Sequence, residues 1–162
     1  MMVDAAESQK KLAHKEMERA VELTKQKRYA EALAIFEKHL PQLSTHDVAD
    51  KRVLTGSSSF YGLCVAMVRR HYSEAVQYCN LSLKSQFMDP DHRANLALVF
   101  LERSDRASAI ENLHAGLRLQ PKHARTNEIL NDIGRRSKPV IPFLSRNNPL
   151  NVWLGRRRAG RS

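Results

Sequence analysis

Three times along this chain a small residue, with a larger apolar one about a turn later, precedes an alanine that has an apolar or thiol side chain four positions on. The first copy has Ala20 and Leu23, then Tyr29, Ala32 and Phe36; the second has Tyr61-Gly62 with Val65, then Tyr72, Ala75 and Cys79. In the third, Leu96-Ala97 and Phe100 are followed by Ala109 and Leu113, and Pro121 closes the unit. Ala75 and Ala109 stand 34 residues apart and Ala32 and Ala75 stand 43 apart, the polar stretch from Ser44 to Ser59 taking up the difference. Three- and four-residue steps are helical periodicity. A small side chain at a fixed place in one helix lets a second helix approach closely, and the large residue a turn later fills the space beside the contact. A chain built on this figure is expected to fold as consecutive helix pairs.

The rest of the body agrees. Apolar stripes run through Leu33, Phe36 and Leu40, through Leu96, Val99 and Phe100, and through Ile110, Leu113 and Leu117, with Ile129, Leu130 and Ile133 in a last helix. Asp89 followed by Pro90 reads as a cap and first-turn pair, and Tyr72 or Ser73 opens the segment that holds Glu74. Alternating stretches of strand type are almost missing from residue 7 to 134. The middle copy needs one extra residue, which is expected in its inter-helix turn.

These residues and their 34-residue period resemble the tetratricopeptide repeat (TPR) family. The resemblance covers roughly residues 10 to 134. It implies an all-α, right-handed superhelical solenoid of about three helix pairs, with repeats at about 10–43, 57–88 and 90–122 and a capping helix at 123–134. In proteins of this kind the first helices of the pairs line a concave face where ligands lie. That geometry implies an apolar protein-binding groove at Met17, Val21, Phe60, Leu63, Met67, Asn95, Leu98 and Leu101, suited to an amphipathic helix or an extended apolar segment. The alternative, open for each of these residues, is packing between neighbouring repeats. Some family members instead grip acidic chaperone tails with Lys, Arg and Asn side chains. Here Asn95 fits, but Met17, Val21 and Asp91 put apolar surface or the wrong charge where cations are needed.

Charge separates the body from a tail. The chain carries 27 Lys and Arg against 17 Asp and Glu, yet no acidic residue follows Asp132, and eight of the basic ones do. The body is therefore nearly balanced, and the net charge of +10 is mostly a property of the last thirty residues. Three of the six prolines also fall there, which puts the boundary near Gly134 and leaves 135–162 as a basic, Pro- and Arg-rich segment. That segment displays Val140, Ile141, Phe143, Leu144, Leu150, Trp153 and Leu154. Burying the larger of these side chains is worth roughly 1.5–3 kcal/mol apiece, so a cover is expected, either by self-packing or by docking onto another protein. Arg156, Arg157, Arg158 and Arg161 form a cluster that contacts phosphates of a nucleic acid or an anionic surface, or that simply keeps the end solvated.

Chemistry of other kinds finds no pattern. No phosphate-binding glycine loop, serine-nucleophile elbow or His-Glu-x-x-His helix occurs, and the seven histidines include no pair at a four-residue step. Catalytic residues, metal ligands and cofactors are accordingly all expected to be none, and His92 beside Asp89 and Asp91 reads as capping. Cys64 and Cys79, on the two helices of the middle repeat, read as buried free thiols of a reducing, cytoplasmic setting. No apolar run exceeds six residues, against about twenty for a membrane span. The leading expectation is a non-catalytic protein-protein interaction adaptor or scaffold. The alternatives are a nucleic-acid or ribosome-associated factor anchored by its arginine-rich end, and an accessory subunit of an enzyme.

Overall fold

The computed structural model describes residues 2–134, with side chains from 7 to 133. The chain divides into two compact units, Met1–Ile129 and Leu130–Ser162. Among the described residues the structure is helical throughout, with no strand. The helices are α1 (Met2–Lys25), α2 (Tyr29–His39), α3 (Val48–Arg69), α4 (Tyr72–Ser85), α5 (Pro90–Glu102), α6 (Arg106–Leu119) and α7 (Ala124–Gly134), with a 3-10 turn at Leu40–Gln42.

The most extensive contacts join α1 to α2, α3 to α4 and α5 to α6, so the unit is built from three helical hairpins. The first helix of each hairpin also touches that of the next, α1 against α3 and α3 against α5. This packing fits a helical repeat, and the turns carry the same period. Lys27, Arg70 and Ser104 adopt the left-handed backbone conformation, each five residues before Ala32, Ala75 and Ala109, which are all wholly buried. In the first and third hairpins the helix ends identically. The Arg28 and Asp105 N–H groups reach back five residues to the Leu23 and Phe100 carbonyls, and the Lys27 and Ser104 N–H groups reach back three to Thr24 and Leu101. These paired bonds satisfy carbonyls that a helix end would otherwise leave orphaned.

The middle hairpin differs, and not where its spacing suggested. Its turn is the shortest of the three, with only Arg70 and His71 between α3 and α4. The added length lies in α3, which runs on seven residues past Gly62, whereas α5 runs five past Ala97. The polar stretch 44–59 is also mostly helix. Asp47 caps α3 by accepting from the Ala49 and Asp50 N–H groups at 2.8 and 3.0 Å, and the helix starts at Val48. Asp89 and Asp105 cap α5 and α6 in the same way.

Two apolar clusters fill the unit. Phe36, Met17, Leu23, Phe60, Tyr61 and Val65 meet in the first, with Phe36 set edge-on to Tyr61 at 5.9 Å. Leu63, Ala75, Cys79, Leu96 and Val99 meet in the second. Gly62 marks the tightest contact, because a Cβ there would lie 2.7 Å from the Ala75 carbonyl oxygen and 2.9 Å from Tyr78 Cβ. Only glycine admits that approach of α4 to α3. No helix among the described residues is long and apolar enough to cross a membrane.

Candidate binding groove

A cavity of about 740 Å³ opens between α1 and α3. His14, Met17, Glu18 and Val21 line it from α1; Val48, Ala49, Arg52, Val53, Gly56 and Ser57 line it from α3; Gln86 closes it from the turn after α4. Its depth runs from Met17, 1% exposed, to Val48, 86% exposed. Apolar side chains on both helices, with a carboxylate, a guanidinium and an amide around them, suit an apolar group presented on a polar scaffold.

Buried charge fixes one end of the groove. The Asp50 carboxylate is 1% exposed and accepts from His14 Nε2 at 2.6 Å and from the Ser44 N–H at 3.0 Å, with Lys10 Nζ at 3.3 Å. Burial alone would raise this carboxyl; the Ser44, His14 and Lys10 contacts outweigh it and hold the group below the usual carboxylate range. Lys10 also meets Asp47 at 2.7 Å, so α1 is tied to the cap of α3.

A polar relay occupies the other end. Arg125 donates from Nη1 to Asp91 at 2.9 Å and from Nη2 to Asn95 Oδ1 at 2.6 Å. Asn95 Nδ2 donates to Ser59 Oγ at 2.8 Å, Ser59 Oγ lies 2.7 Å from His92 Nδ1, and His92 Nε2 lies 3.1 Å from Gln86 Oε1. The donors fix one consistent direction. The guanidinium can only donate, so Asn95 presents its oxygen to Arg125 and its NH2 to Ser59; the Ser59 hydroxyl then donates to a bare Nδ1, and Nε2–H donates to Gln86. His92 is neutral in that arrangement. Burial holds its imidazole below the ordinary value, against the pull of Asp89 and Asp91 and with Arg125 pushing the same way as burial. Burial also raises the Asp91 carboxyl, but Arg125, Lys25 and His123 overcome it. Lys25 reaches Asp91 at 3.5 Å, and Lys25 and Arg125 both stand over the Phe60 ring, at 5.7 and 5.9 Å from its centre.

Ser82 ties the relay to the hairpin packing. Its hydroxyl donates to the Thr55 carbonyl at 2.6 Å and accepts from the Ser59 N–H at 2.8 Å, inserting itself into the backbone ladder of α3.

Among the groove residues expected from the sequence, Met17, Phe60, Leu63 and Asn95 are buried, and Val21, Met67, Leu98 and Leu101 are half-buried. Met17 and Val21 line the cavity; Met17 and Phe60 belong to the first core cluster and Leu63 to the second, with Met67 and Leu98 packed against it. Asn95 sits in the polar relay. Val48, Arg52, Val53 and Gln86 were not foreseen; the available signal was Asp47, a cap residue placed ahead of Val53 and Leu54. His92 belongs to the relay, while Asp89 caps α5 as expected. Both cysteines are buried and free, and burial pushes the Cys64 thiol up to about 11. Thr24 donates its hydroxyl proton to the Ala20 carbonyl, so Cys64 S–H is the donor in the 3.2 Å contact with Thr24. Among the described residues no three His, Cys, Asp or Glu side chains converge as metal ligands. The tail calls, Val140, Ile141, Phe143, Leu144, Leu150, Trp153, Leu154 and the arginines 156, 157, 158 and 161, lie outside the described residues.

No known family model matches this chain. No curated protein matches it either.

Proposed function

We propose that this protein is a non-catalytic adaptor built on TPR-like helix pairs of a right-handed solenoid, which binds a partner protein through the groove between α1 and α3. The observation that carries this reading is the cavity of about 740 Å³, with Met17, Val21, Val48 and Val53 as its apolar surface. It is large enough for several side chains of a docked helix or extended segment. Segment 135–162, with its apolar and arginine residues, serves in this reading as a second, linear docking element.

A photo-crosslinking residue at position 48 of the full chain in its native cells tests this. It is expected to trap one stoichiometric protein partner, and Val53→Glu is expected to abolish the crosslink while circular dichroism stays helical. A crosslink that survives Val53→Glu overturns the groove reading. The basic end supports a second reading, attachment to a nucleic acid or ribosome. Filter binding of RNA at two salt concentrations, with the full chain and with a chain ended after Gly134, separates the two; tight, salt-sensitive binding lost on truncation favours the second.

A further inference from the structure

The groove between α1 and α3 holds one donor whose direction is set from outside it. Gln86 is half-buried, and its backbone is pinned on both sides, its N–H donating to the Ser82 carbonyl at 2.7 Å and its carbonyl accepting from the Asp89 N–H at 3.2 Å. Its side-chain oxygen accepts from His92 Nε2 at 3.1 Å, which leaves the amide NH2 facing α3. A Cβ on Gly56 would lie 3.1 Å from that nitrogen, and Gly56 and Gln86 both line the groove. Among the described residues nothing accepts from this NH2, and it is not shielded from solvent. His92 is 1% exposed and held by Ser59 at 2.7 Å, so the amide stays turned as it is.

Arg52 stands one turn before Gly56 on the same face of α3, about 6 Å along the axis. Glu18 lines the opposite wall, on α1, and among the described residues neither charge is ion-paired. Two exposed charges alone select little. A half-buried amide locked by a buried histidine does select, because a partner that covers it without an acceptor strands its donors. We propose that the partner presents an amphipathic helix whose side-chain carboxylate meets Gln86 and Arg52, one turn from an apolar residue that seats on Met17 and Val53. The carboxylate accepts from the Gln86 NH2 and from the Arg52 guanidinium, while Glu18 turns acid away from the α1 wall. The lining residues span 14 to 21 on α1 and 48 to 57 on α3, two to three turns, which fits an occupant of about two turns. This inference rests on the groove reading above and adds the chemistry that the partner must carry.

Three blocked, hydrocarbon-stapled helical peptides test it on the full chain, identical except for Glu, Gln or Lys placed four positions after a leucine. The Glu peptide is expected to bind about threefold tighter than the Gln peptide and at least about tenfold tighter than the Lys peptide, and to move the Gln86 side-chain NH2 signal in NMR spectra. Arg52→Gln is expected to erase the preference for Glu over Gln, and Gln86→Leu to weaken both by about fivefold. Equal binding of the Glu and Lys peptides overturns the carboxylate assignment and leaves the groove standing. A preference for Glu that persists in both variants, or a Gln86 signal that does not move, also overturns it, since the acceptor then lies elsewhere. No saturable binding of any peptide up to about 1 mM overturns the proposed occupant, and the crosslink at position 48 then decides the groove by itself. Arg52→Gln leaves every described hydrogen bond intact, so it remains decisive should Gln86→Leu fail to fold.

Discussion

The α3–α4 contact at Gly62 and the relay from Arg125 to Gln86 meet on the same helix and hold by different physics. At Gly62 two backbones are separated by the absence of a side chain, and what resists change is volume. Three residues away, at Ser59, the side chain is wholly buried and holds by donor direction: its hydroxyl is partnered by Asn95 and His92, and one proton in the wrong place reverses the chain. The first is indifferent to pH and salt and intolerant of size. The second tolerates neither lost partners nor an added proton.

The sharpest way to break that contrast is to add bulk at the contact. Gly62→Leu drives a side chain into the Ala75 carbonyl and is expected to cost about 3 kcal/mol in urea denaturation. Gly62→Ala is expected to cost less, since a gain of about 1 kcal/mol in helix propensity offsets part of the clash. A stabilised Gly62→Ala protein would show that α3 and α4 are not nested here. Ser59→Ala comes next. It strands Asn95 Nδ2 and His92 Nδ1, with an expected loss of about 2 kcal/mol at neutral pH, which the same denaturation series measures.

The smallest effect sharpens the comparison through pH. His92 binds its proton less readily in the fold than in the open chain, where a histidine titrates near 6.5. Its contribution is therefore fully present above about 6.5 and is lost as pH falls toward the depressed folded value, because the unfolded chain takes up the proton first. The slope cannot exceed about 1.4 kcal/mol per pH unit for one proton. Thermal melts from pH 7 to pH 5 are expected to show falling stability, with a shallower fall in His92→Gln. Below that window the depressed carboxyls of Asp50 and Asp91 add a further loss. Equal slopes for the wild type and His92→Gln would remove the relay from the account.

The hairpins were legible because their signal is local. Alanine at 32, 75 and 109, Gly62, and the Asp89-Pro90 cap each announce themselves within a few residues, and each lies where the helix pairs need it. The start of α3 was not legible. Residues 44–59 are rich in Ser and Thr, which ordinarily mark loops, yet Thr55, Ser57 and Ser58 return their hydroxyl protons to carbonyls three or four residues back and so enter a helix with their polarity satisfied. The groove residues on α3 were missed for the same reason. The relay was illegible too, since Ser59, Asn95 and Arg125 are 30 or more residues apart; Asn95 was expected in a binding groove, and nothing local to Ser59 or Arg125 pointed to it.

The sequence alone determined that the body is helical, that its figure recurs three times, and that a cap at Asp89-Pro90 opens α5. These follow from periodicity and side-chain size, which act between neighbours along the chain. Only the tertiary structure decided which apolar side chains are core and which line the groove, that Ser82 enters the ladder of α3, and that a buried histidine is held neutral by partners from α3 and the turn before α5. Burial and proton direction depend on what several helices bring to one point, and no interval along the chain encodes that.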